Sequence, residues 1–332
     1  MPVVPTRILE FSRDPLFGAV YPDRTDWVPT GTPLEPVGRA TAHAGVRRRR
    51  ILPALVQALG RRYDLIVLPA IRISTPGDRL HRAKRISRRA LIAISGSRMV
   101  AQLVTLLFGL DSITHVLRDV GDFPEIEEVS TGLFPHAQLY LKREVLESDL
   151  GTRASGGPIV SYVPMPFEIN GYRLEPAAKT TDVFFAARDR GDYRRQAREA
   201  LQALAAEGVV VDIPQERLAF EDYLARMSRA RLVVSPRGQG EHCYRHYEAL
   251  LVGAVPVINY PDKPIYYELE DGVTALFYDP NGNGLREVVL GALADPDRLD
   301  RIAAAGSQLV ETRHSKNVIC QQILERLGAS AP

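Results

Sequence analysis

The sequence predicts an α/β protein built from two Rossmann-like, doubly wound domains. A chain of 332 residues is long enough for two hydrophobic cores. Short apolar runs alternate along it with stretches of helical periodicity, which is the pattern of a doubly wound sheet. Hydrophobic residues make up 45% and charged residues 25%, as in ordinary globular proteins. Because helices rather than hairpin turns separate the apolar runs, we expect the strands to pair in parallel.

The first half of the chain contains three predicted strands, which are residues 63–68, 113–117 and 138–141. Helical runs are predicted over residues 48–62 and 90–110. The second of these is the most apolar stretch of the chain, but it includes Arg98. A charge near the centre of a membrane span costs about 2.5–3.5 kcal/mol, so we expect a buried helix of a globular domain.

Glycine and proline are frequent between residues 147 and 181, a composition typical of a crossing between domains. We therefore predict an N-terminal domain over 1–155, a linker over 156–181 and a C-terminal domain over 182–332. The second domain contains four predicted strands, which are residues 182–187, 209–212, 231–235 and 255–258. Helices are predicted over residues 192–207, 219–227, 285–293, 297–310 and 317–327.

Composition limits the classes of site and compartment. Cys243 and Cys320 are the only cysteines, too few for a disulfide framework and without metal-ligand spacing. The N-terminus lacks the charged-then-apolar pattern of a secretory signal. We predict a cytoplasmic protein without a metal site.

Positive charge is concentrated in one region. Between Arg39 and Arg98 there are fifteen Lys or Arg residues and two acids, whereas the net charge of the whole chain is +2. This region is either a solvated helix face with a basic loop, or a surface for an anionic acceptor, a membrane headgroup layer or nucleic acid. Its basic runs lack interleaved aromatic residues, which argues against nucleic acid.

Residues 231–258 form the most informative segment. A buried strand is followed by the Gly-rich turn 235–243, then by a helix that carries Arg245 and Glu248, then by a second buried strand. A Gly-rich turn that leads from a parallel strand to a helix N-terminus favours phosphate binding. Arg245 and Glu248 are three residues apart, so they lie on one helix face. The pair suggests a nucleotide-diphosphate ligand.

Ser-Pro-Arg-Gly at 235–238, Tyr-Arg-His-Tyr-Glu-Ala-Leu at 244–250 and Gly-Ala-Val-Pro-Val-Ile at 253–258 together resemble the donor-binding segment of exostosin-type glycosyltransferases. The resemblance is close over these residues and looser over 180–290. It implies the GT-B fold, with two Rossmann-like domains facing a cleft. It also implies a nucleotide-diphosphate sugar as co-substrate, no further cofactor, and arginines in place of a metal at the diphosphate.

The resemblance assigns roles to individual residues. Glu248 would bind the ribose, and Arg237 and Arg245 the diphosphate. A basic residue after strand 182–187 would be a second clamp, either Arg188 or its neighbours Arg190 and Arg194. The full predicted binding set is Arg188, Arg237, Gly238, Gly240, Glu241, His242, Tyr244, Arg245 and Glu248.

Each of these roles has a structural alternative. Arg237 could pair with an acid at the edge of the sheet, and Arg245 and Glu248 could pair with each other. Gly238 and Gly240 could be ordinary turn residues, and His242 could belong to the core.

Glycosyl transfer with inversion needs a general base on the acceptor hydroxyl. The candidates are Asp119, Asp122 and His43, although Asp119 and Asp122 also suit a plain turn. Retaining GT-B enzymes place two Glu eight positions apart, whereas Glu241 and Glu248 are seven apart. We therefore expect inversion, although the family that the segment resembles includes both stereochemical outcomes and retention stays open.

Two other classes stay open at this point. One is a non-catalytic nucleotide-sugar or polyanion-binding protein. The other is an epimerase or phosphorylase on the same fold, which the small number of lysines disfavours. The sequence fixes neither the acceptor nor the oligomeric state, and it leaves peripheral membrane contact open.

Overall fold

The computed structural model describes residues 5, 7–12, 14–30, 63–70, 113–163, 177–187, 191–281 and 284–329. The chain divides into two units, of which the first comprises Met1–Tyr162 with Lys316–Pro332 and the second Val163–Ser315. The predicted helices at 48–62 and 90–110, His43, Arg188 and most of the basic region lie outside the described residues. Within those ranges, no helix is long and apolar enough to cross a membrane.

The first unit contains a sheet with strand order β2-β1-β3-β4-β5-β7-β6. Its strands are β1 (Ile8–Ser12), β2 (Thr25–Pro29), β3 (Leu65–Pro69), β4 (Thr114–Asp119), β5 (Leu139–Lys142), β6 (Arg153–Ala154) and β7 (Gly157–Ser161). All neighbours pair in parallel except β6 and β7. The three strands predicted here are confirmed as β3, β4 and β5, and the parallel pairing is confirmed with them.

The predicted linker began too early. Residues 157–161 form β7, which pairs with β5 in the register Tyr140↔Ile159. A Cβ atom on Gly157 would lie 1.8 Å from the carbonyl oxygen of Gln138. Gly157 therefore allows close contact within the sheet, whereas the prediction took it as a sign of a crossing between domains.

The predicted end of the second domain was also wrong. The last helix, Lys316–Ala329, belongs to the first unit. Its apolar residues Ile319, Cys320, Ile323 and Leu324 are buried in one core with residues of β1, β3, β4 and β5. The chain therefore returns to the first unit after residue 315. Two shorter helices complete the described part of this unit, α1 (Phe17–Val20) and α2 (Glu128–Leu133).

The second unit contains a parallel sheet with strand order β12-β11-β10-β8-β9. Its strands are β8 (Thr181–Phe184), β9 (Val211–Asp212), β10 (Ala230–Val234), β11 (Val255–Asn259) and β12 (Leu276–Tyr278). The four strands predicted here are confirmed, and β12 was missed. Its helices are α3 (Asp192–Ala206), α4 (Phe220–Ser228), α5 (Tyr244–Leu251), α6 (Gly284–Leu293) and α7 (Pro296–Leu309). A π-helical turn, Val310–His314, precedes the last helix, which is α8.

Alternate residues of this sheet enter different cores. Val183, Leu232 and Val257 pack on one face with residues of α3, α6 and α7. Phe184 and Val233 pack on the other face with residues of α4 and α5. Successive side chains of a strand point to opposite faces, so the sheet is covered by helices on both sides. This is the doubly wound arrangement that the sequence predicts.

Candidate functional site

The Gly-rich turn follows β10 at the carboxyl edge of the second sheet, where α/β proteins bind ligands. Three hydrogen bonds hold its backbone. The amide of Arg237 donates to Oδ1 of Asn259 at 2.8 Å, and Arg194 Nε donates to the carbonyl oxygen of Arg237 at 3.2 Å. Within the turn, the amide of Gly238 donates to the carbonyl oxygen of Gly240 at 3.0 Å. Of the two alternatives to Arg188, Arg194 lies at the turn, and Arg190 lies outside the described residues.

Gly238 has a φ angle outside the left-handed region. Its backbone conformation therefore does not require glycine. A Cβ atom here would lie 2.9 Å from Nη2 of Arg194, the end of a flexible side chain. The missing side chain leaves room around the turn backbone, which fits close approach by a ligand or by Arg194 itself.

His246 connects the end of β10 to the turn. Ser235 Oγ lies 2.8 Å from its Nδ1, and the carbonyl oxygen of Glu241 lies 3.0 Å from its Nε2. A carbonyl oxygen only accepts, so Nε2 donates and Nδ1 accepts from the Ser235 hydroxyl. The imidazole is fully buried, and this burial lowers its pKa to about 3. His246 is thus a neutral link between two ends of the turn.

Arg237 pairs with acids. Its Nη1 lies 2.5 Å from Oε1 of Glu241 and also contacts Oδ2 of Asp262. Its guanidinium lies 5.4 Å from the ring centre of Tyr193, whose hydroxyl donates to Asp262 at 2.6 Å. These contacts agree with the structural alternative for Arg237 and with a role for Glu241 as its partner. Diphosphate contact by either residue stays a prediction.

Arg245 and Glu248 lie in a largely buried part of α5. Glu248 is 9% exposed, and its Oε2 accepts a hydrogen bond from the Tyr223 hydroxyl at 2.7 Å. Burial raises the pKa of Glu248, whereas the Tyr223 hydrogen bond and the charge of Arg245 act in the opposite direction. Nε and Nη1 of Arg245 are buried without a hydrogen-bond partner among the described residues. Buried donors of this kind are rare in folded proteins and indicate a missing acceptor.

His242 belongs to the core. Its Nε2 donates to the carbonyl oxygen of Tyr266, and its Nδ1 accepts from the Tyr247 hydroxyl, both at 3.0 Å. The ring is 4% exposed and lies 4.3 Å from that of Tyr267, measured between centres. These contacts favour the structural alternative for His242. Tyr244, the first residue of α5, is only partly buried.

Asp119 lies in a buried polar cluster at the end of β4. Its Oδ2 accepts from Lys142 Nζ at 2.7 Å and from the Tyr140 hydroxyl at 3.1 Å, and its Oδ1 accepts from the Gly121 amide at 2.9 Å. Lys142 Nζ also donates to the carbonyl oxygens of Phe123 and Glu125. Because both carboxylate oxygens have partners, the arrangement favours a structural role for Asp119.

Asp122 is the more accessible candidate base. Its side chain is 39% exposed and is ion-paired with Arg143. It lies in the segment that follows β4, at the carboxyl edge of the first sheet. A base role would require the carboxylate to exchange Arg143 for an acceptor hydroxyl.

The described residues contain no group of three or more His, Cys, Asp or Glu side chains placed to hold a metal ion. The sequence does contain an Asp-Pro-Asp triplet at 295–297. Asp295 caps α7 there, because its side chain accepts from the amide of Arg298 at 2.9 Å and Pro296 begins the helix.

Sequence reasoning missed three residues that build this site, namely Tyr223, His246 and Asn259. Asn259 could have been found, because it is a buried polar residue at the carboxyl end of a predicted strand. His246 and Tyr223 carry no comparable signal. Their partners lie 11 and 25 positions away in the chain.

Residues 193–325 match the protein family described as glycosyl transferase-like. This range covers somewhat less than half of the chain and lies mainly in the second unit. The second unit thus carries a glycosyltransferase domain, and such domains are enzymes that transfer glycosyl groups. The matched family is described only in these general terms. No curated protein sequence matches the chain.

Solved structures resemble the chain over nearly its whole length. HepE from Anabaena in complex with UDP has a TM-score of 0.59 at 13% identity, with 97% of this chain and 100% of that chain covered. Sucrose-phosphate synthase from Thermosynechococcus elongatus has a TM-score of 0.57 at 13% identity, with 98% and 100% covered. A glycosyltransferase from Rickettsia africae has a TM-score of 0.58 at 10% identity, with 98% and 100% covered.

The fold is that of the GT-B glycosyltransferases. At these identities the likeness concerns the fold, and the chemistry has to be argued from the site.

Proposed function

We propose that the protein transfers a sugar from a nucleotide-diphosphate sugar to an acceptor hydroxyl. One observation carries the proposal: among the described residues, Nε and Nη1 of Arg245 are buried without an acceptor, beside the buried carboxylate of Glu248. A diphosphate would supply acceptors to the guanidinium, and a ribose would supply hydroxyl donors to the carboxylate. The glycosyl transferase-like match over the same residues supports this assignment.

The first turn of α5 adds a second source of positive potential. Arg245 is the second residue of that helix, so its guanidinium belongs to the turn where amide groups are free and the helix dipole is positive. Together they would stabilise the leaving diphosphate without a metal ion. Arg237 would join them if a phosphate oxygen replaced Asp262 in its ion pairs.

A uridine donor is the first to test. The similar structure of HepE is known in complex with UDP, with UDP-glucose, and with UDP and glucose.

The acceptor of this chain is proposed to be anionic, to match the basic residues 39–98. We further propose an exostosin-type donor segment, a cytoplasmic location, inversion at the anomeric carbon, and Asp122 as the base, because its carboxylate is the more accessible of the two described candidates.

A non-catalytic sugar-nucleotide-binding protein is a second candidate function. The contacts of Asp119 with Lys142 and of Asp122 with Arg143 favour it, since neither carboxylate lacks a cationic partner. Incubation of a bound donor with candidate acceptors separates the two functions. Release of the free nucleotide supports transfer, whereas donor binding without release under any condition supports the binding protein.

The donor site is tested by a thermal-shift screen of the protein against UDP, GDP, dTDP, CDP, ADP and their sugar conjugates. A ligand at a hundred times its Kd adds about 2.7 kcal/mol of apparent stability. Glu248→Ala and Arg245→Ala should each abolish the shift. Arg286→Ala, which removes an exposed arginine paired with Glu207, is the charge-matched control and should keep it. The absence of any shift in the wild type would overturn the proposed function.

A further inference from the structure

Tyr223 is not among the residues that the sequence predicts to bind the donor. It belongs to α4, and its ring packs against Phe184 and Phe220 with centres 5.8 and 5.9 Å apart. Its hydroxyl leaves this apolar cluster and donates to Oε2 of Glu248 at 2.7 Å. The hydrogen bond therefore ties α4 to α5 at the residue proposed to bind the ribose.

The hydrogen bond from Tyr223 helps to offset the cost of burying the Glu248 carboxylate. A carboxylate at a site that is 9% exposed is costly unless hydrogen bonds or an opposite charge compensate its lost hydration. The groups that act on it are Tyr223 from α4 and Arg245 from its own helix. Tyr223 is the one of the two that contributes a hydrogen bond to the carboxylate, and the aromatic packing of its ring fixes where that bond is made.

The hydrogen bond also leaves part of Glu248 for a ligand. In the described part of the chain, no group donates a hydrogen bond to Oε1 of Glu248. With Oε2 held by Tyr223, rotation of the carboxylate is restricted, and Oε1 keeps a defined direction. An oxygen with a fixed direction and unused lone pairs suits acceptance from a sugar hydroxyl.

We propose that Tyr223 is a positioning residue, which orients the Glu248 carboxylate for the ribose of the nucleotide donor. The inference rests on the proposed function, since it concerns the same donor site. Tyr223 acts through Glu248 and does not itself touch the reacting atoms. Its loss should thus affect donor binding much more than the rate of the chemical step.

Tyr223→Phe removes the hydroxyl and keeps the aromatic packing. We expect the KM for the donor to rise about tenfold, as for the loss of a hydrogen bond to a charged group, with kcat within about twofold of wild type. We also expect the acid limb of donor binding to move to higher pH, because Glu248 loses the hydrogen bond that favours its ionised form. Tyr63→Phe is the control, since it removes a buried hydroxyl that donates to Asp26 at 3.0 Å in the first unit.

A double-mutant cycle distinguishes positioning from a direct contact. If Tyr223 acts through Glu248, the loss of donor affinity caused by Tyr223→Phe, measured by titration to high donor concentration, should be much smaller in the Glu248→Ala background than in wild type. Any remaining loss reports on Arg245, which also interacts with the Tyr223 hydroxyl. An equal loss in both backgrounds would overturn the inference. So would an unchanged donor KM and acid limb in Tyr223→Phe.

A second variant covers the case in which Tyr223→Phe does not fold. Site-specific incorporation of fluorotyrosine at position 223 keeps the shape of the ring and makes its hydroxyl a stronger hydrogen-bond donor. The acid limb of donor binding should then move to lower pH, and a limb that stays in place would contradict the inference. If the wild-type protein binds no nucleotide at all, both the proposed function and the inference about Tyr223 fail. If the wild type binds normally and the variants at position 223 do not differ from it, only the role of Tyr223 is contradicted.

Discussion

At the scale of single residues, His246 is a buried titratable side chain that connects two parts of the Gly-rich turn. Its two nitrogens join Ser235 at the end of β10 to Glu241 in the turn. Protonation would place a second N–H on Nδ1, where the Ser235 hydroxyl now donates. The hydroxyl could rotate to accept from it, but the new charge would be buried, and the charged groups of the described residues that act on His246 are the cations Arg245 and Arg194.

Acid should therefore destabilise the protein through this residue. Below its usual pKa of 6.5, an unfolded His246 binds a proton that the folded one does not bind until about pH 3. The unfolded state holds more protons in this window, so the free energy of unfolding falls as the pH falls, by at most about 1.4 kcal/mol per pH unit. His246→Gln should reduce this slope in urea unfolding measured between pH 7 and 4.

His136→Gln is the matched control, because His136 is exposed. It should leave the slope as in wild type. Equal slopes in wild type and His246→Gln would show that the buried imidazole does not account for the acid sensitivity.

The spacing of Arg245 and Glu248 predicts one helix face, and the structure places both residues in α5, because strand, turn, helix and spacing are all local properties of the chain. What the sequence could not supply is the set of contacts, since Tyr223 and Asp262 are brought in by other elements. The same holds for Asp119, which contacts Lys142 of the neighbouring strand β5. The binding and catalytic roles of these residues stay predictions.

At the scale of elements, most strands and helices were predictable, and for two of the missed strands, β1 and β12, the physical cause is clear. In the sequence, Glu10 interrupts the apolar run of β1, and a glutamate is usually a surface residue. The structure buries it completely, with its oxygens accepting from the amides of Leu16 and Gly18 and from Arg118. β12 is only three residues long, too short for its periodicity to be recognised.

Gly157 gives a test at this scale. Gly157→Ala should destabilise the first unit by about 3 kcal/mol, because the new methyl group would overlap the backbone at Gln138, immediately before β5, which cannot move away as a side chain can. Chemical denaturation followed by far-UV circular dichroism measures the change. Gly132→Ala is the control: it lies in α2 with nothing within 4 Å, and helix propensity alone should make it neutral or slightly stabilising. Similar stability of Gly157→Ala and wild type would contradict the register of β5 and β7.

At the scale of the whole molecule, the return of α8 to the first unit determines what a truncation does. Deleting residues 316–332 removes Ile319, Ile323 and Leu324 from the first core, each worth about 1.5–3 kcal/mol when buried. It also removes Lys316, which pairs with Asp14 of the first unit. We expect the first unit to unfold at a lower temperature while the second unit keeps its core.

Limited proteolysis with mass spectrometry checks this expectation. New cleavage sites should appear within residues 1–162, and residues 163–315 should stay resistant. Deletion of residues 330–332 alone leaves α8 in place and should give the wild-type pattern. Faster cleavage confined to residues 163–315 would show that α8 supports the second unit instead.

Because the chain returns to the first unit at its end, the two units finish folding in an unusual order during synthesis on the ribosome. The second unit is one continuous segment, so all of its strands are available for pairing once residue 315 has been synthesised. The first unit consists of two chain segments separated by the second unit. Its core lacks the side chains of α8 until this last helix has left the ribosome. Domains of most chains finish folding in the order of their synthesis. Here the first unit begins to be synthesised first and finishes folding last. Until α8 is available, the apolar sheet face that it covers is exposed and could bind a chaperone.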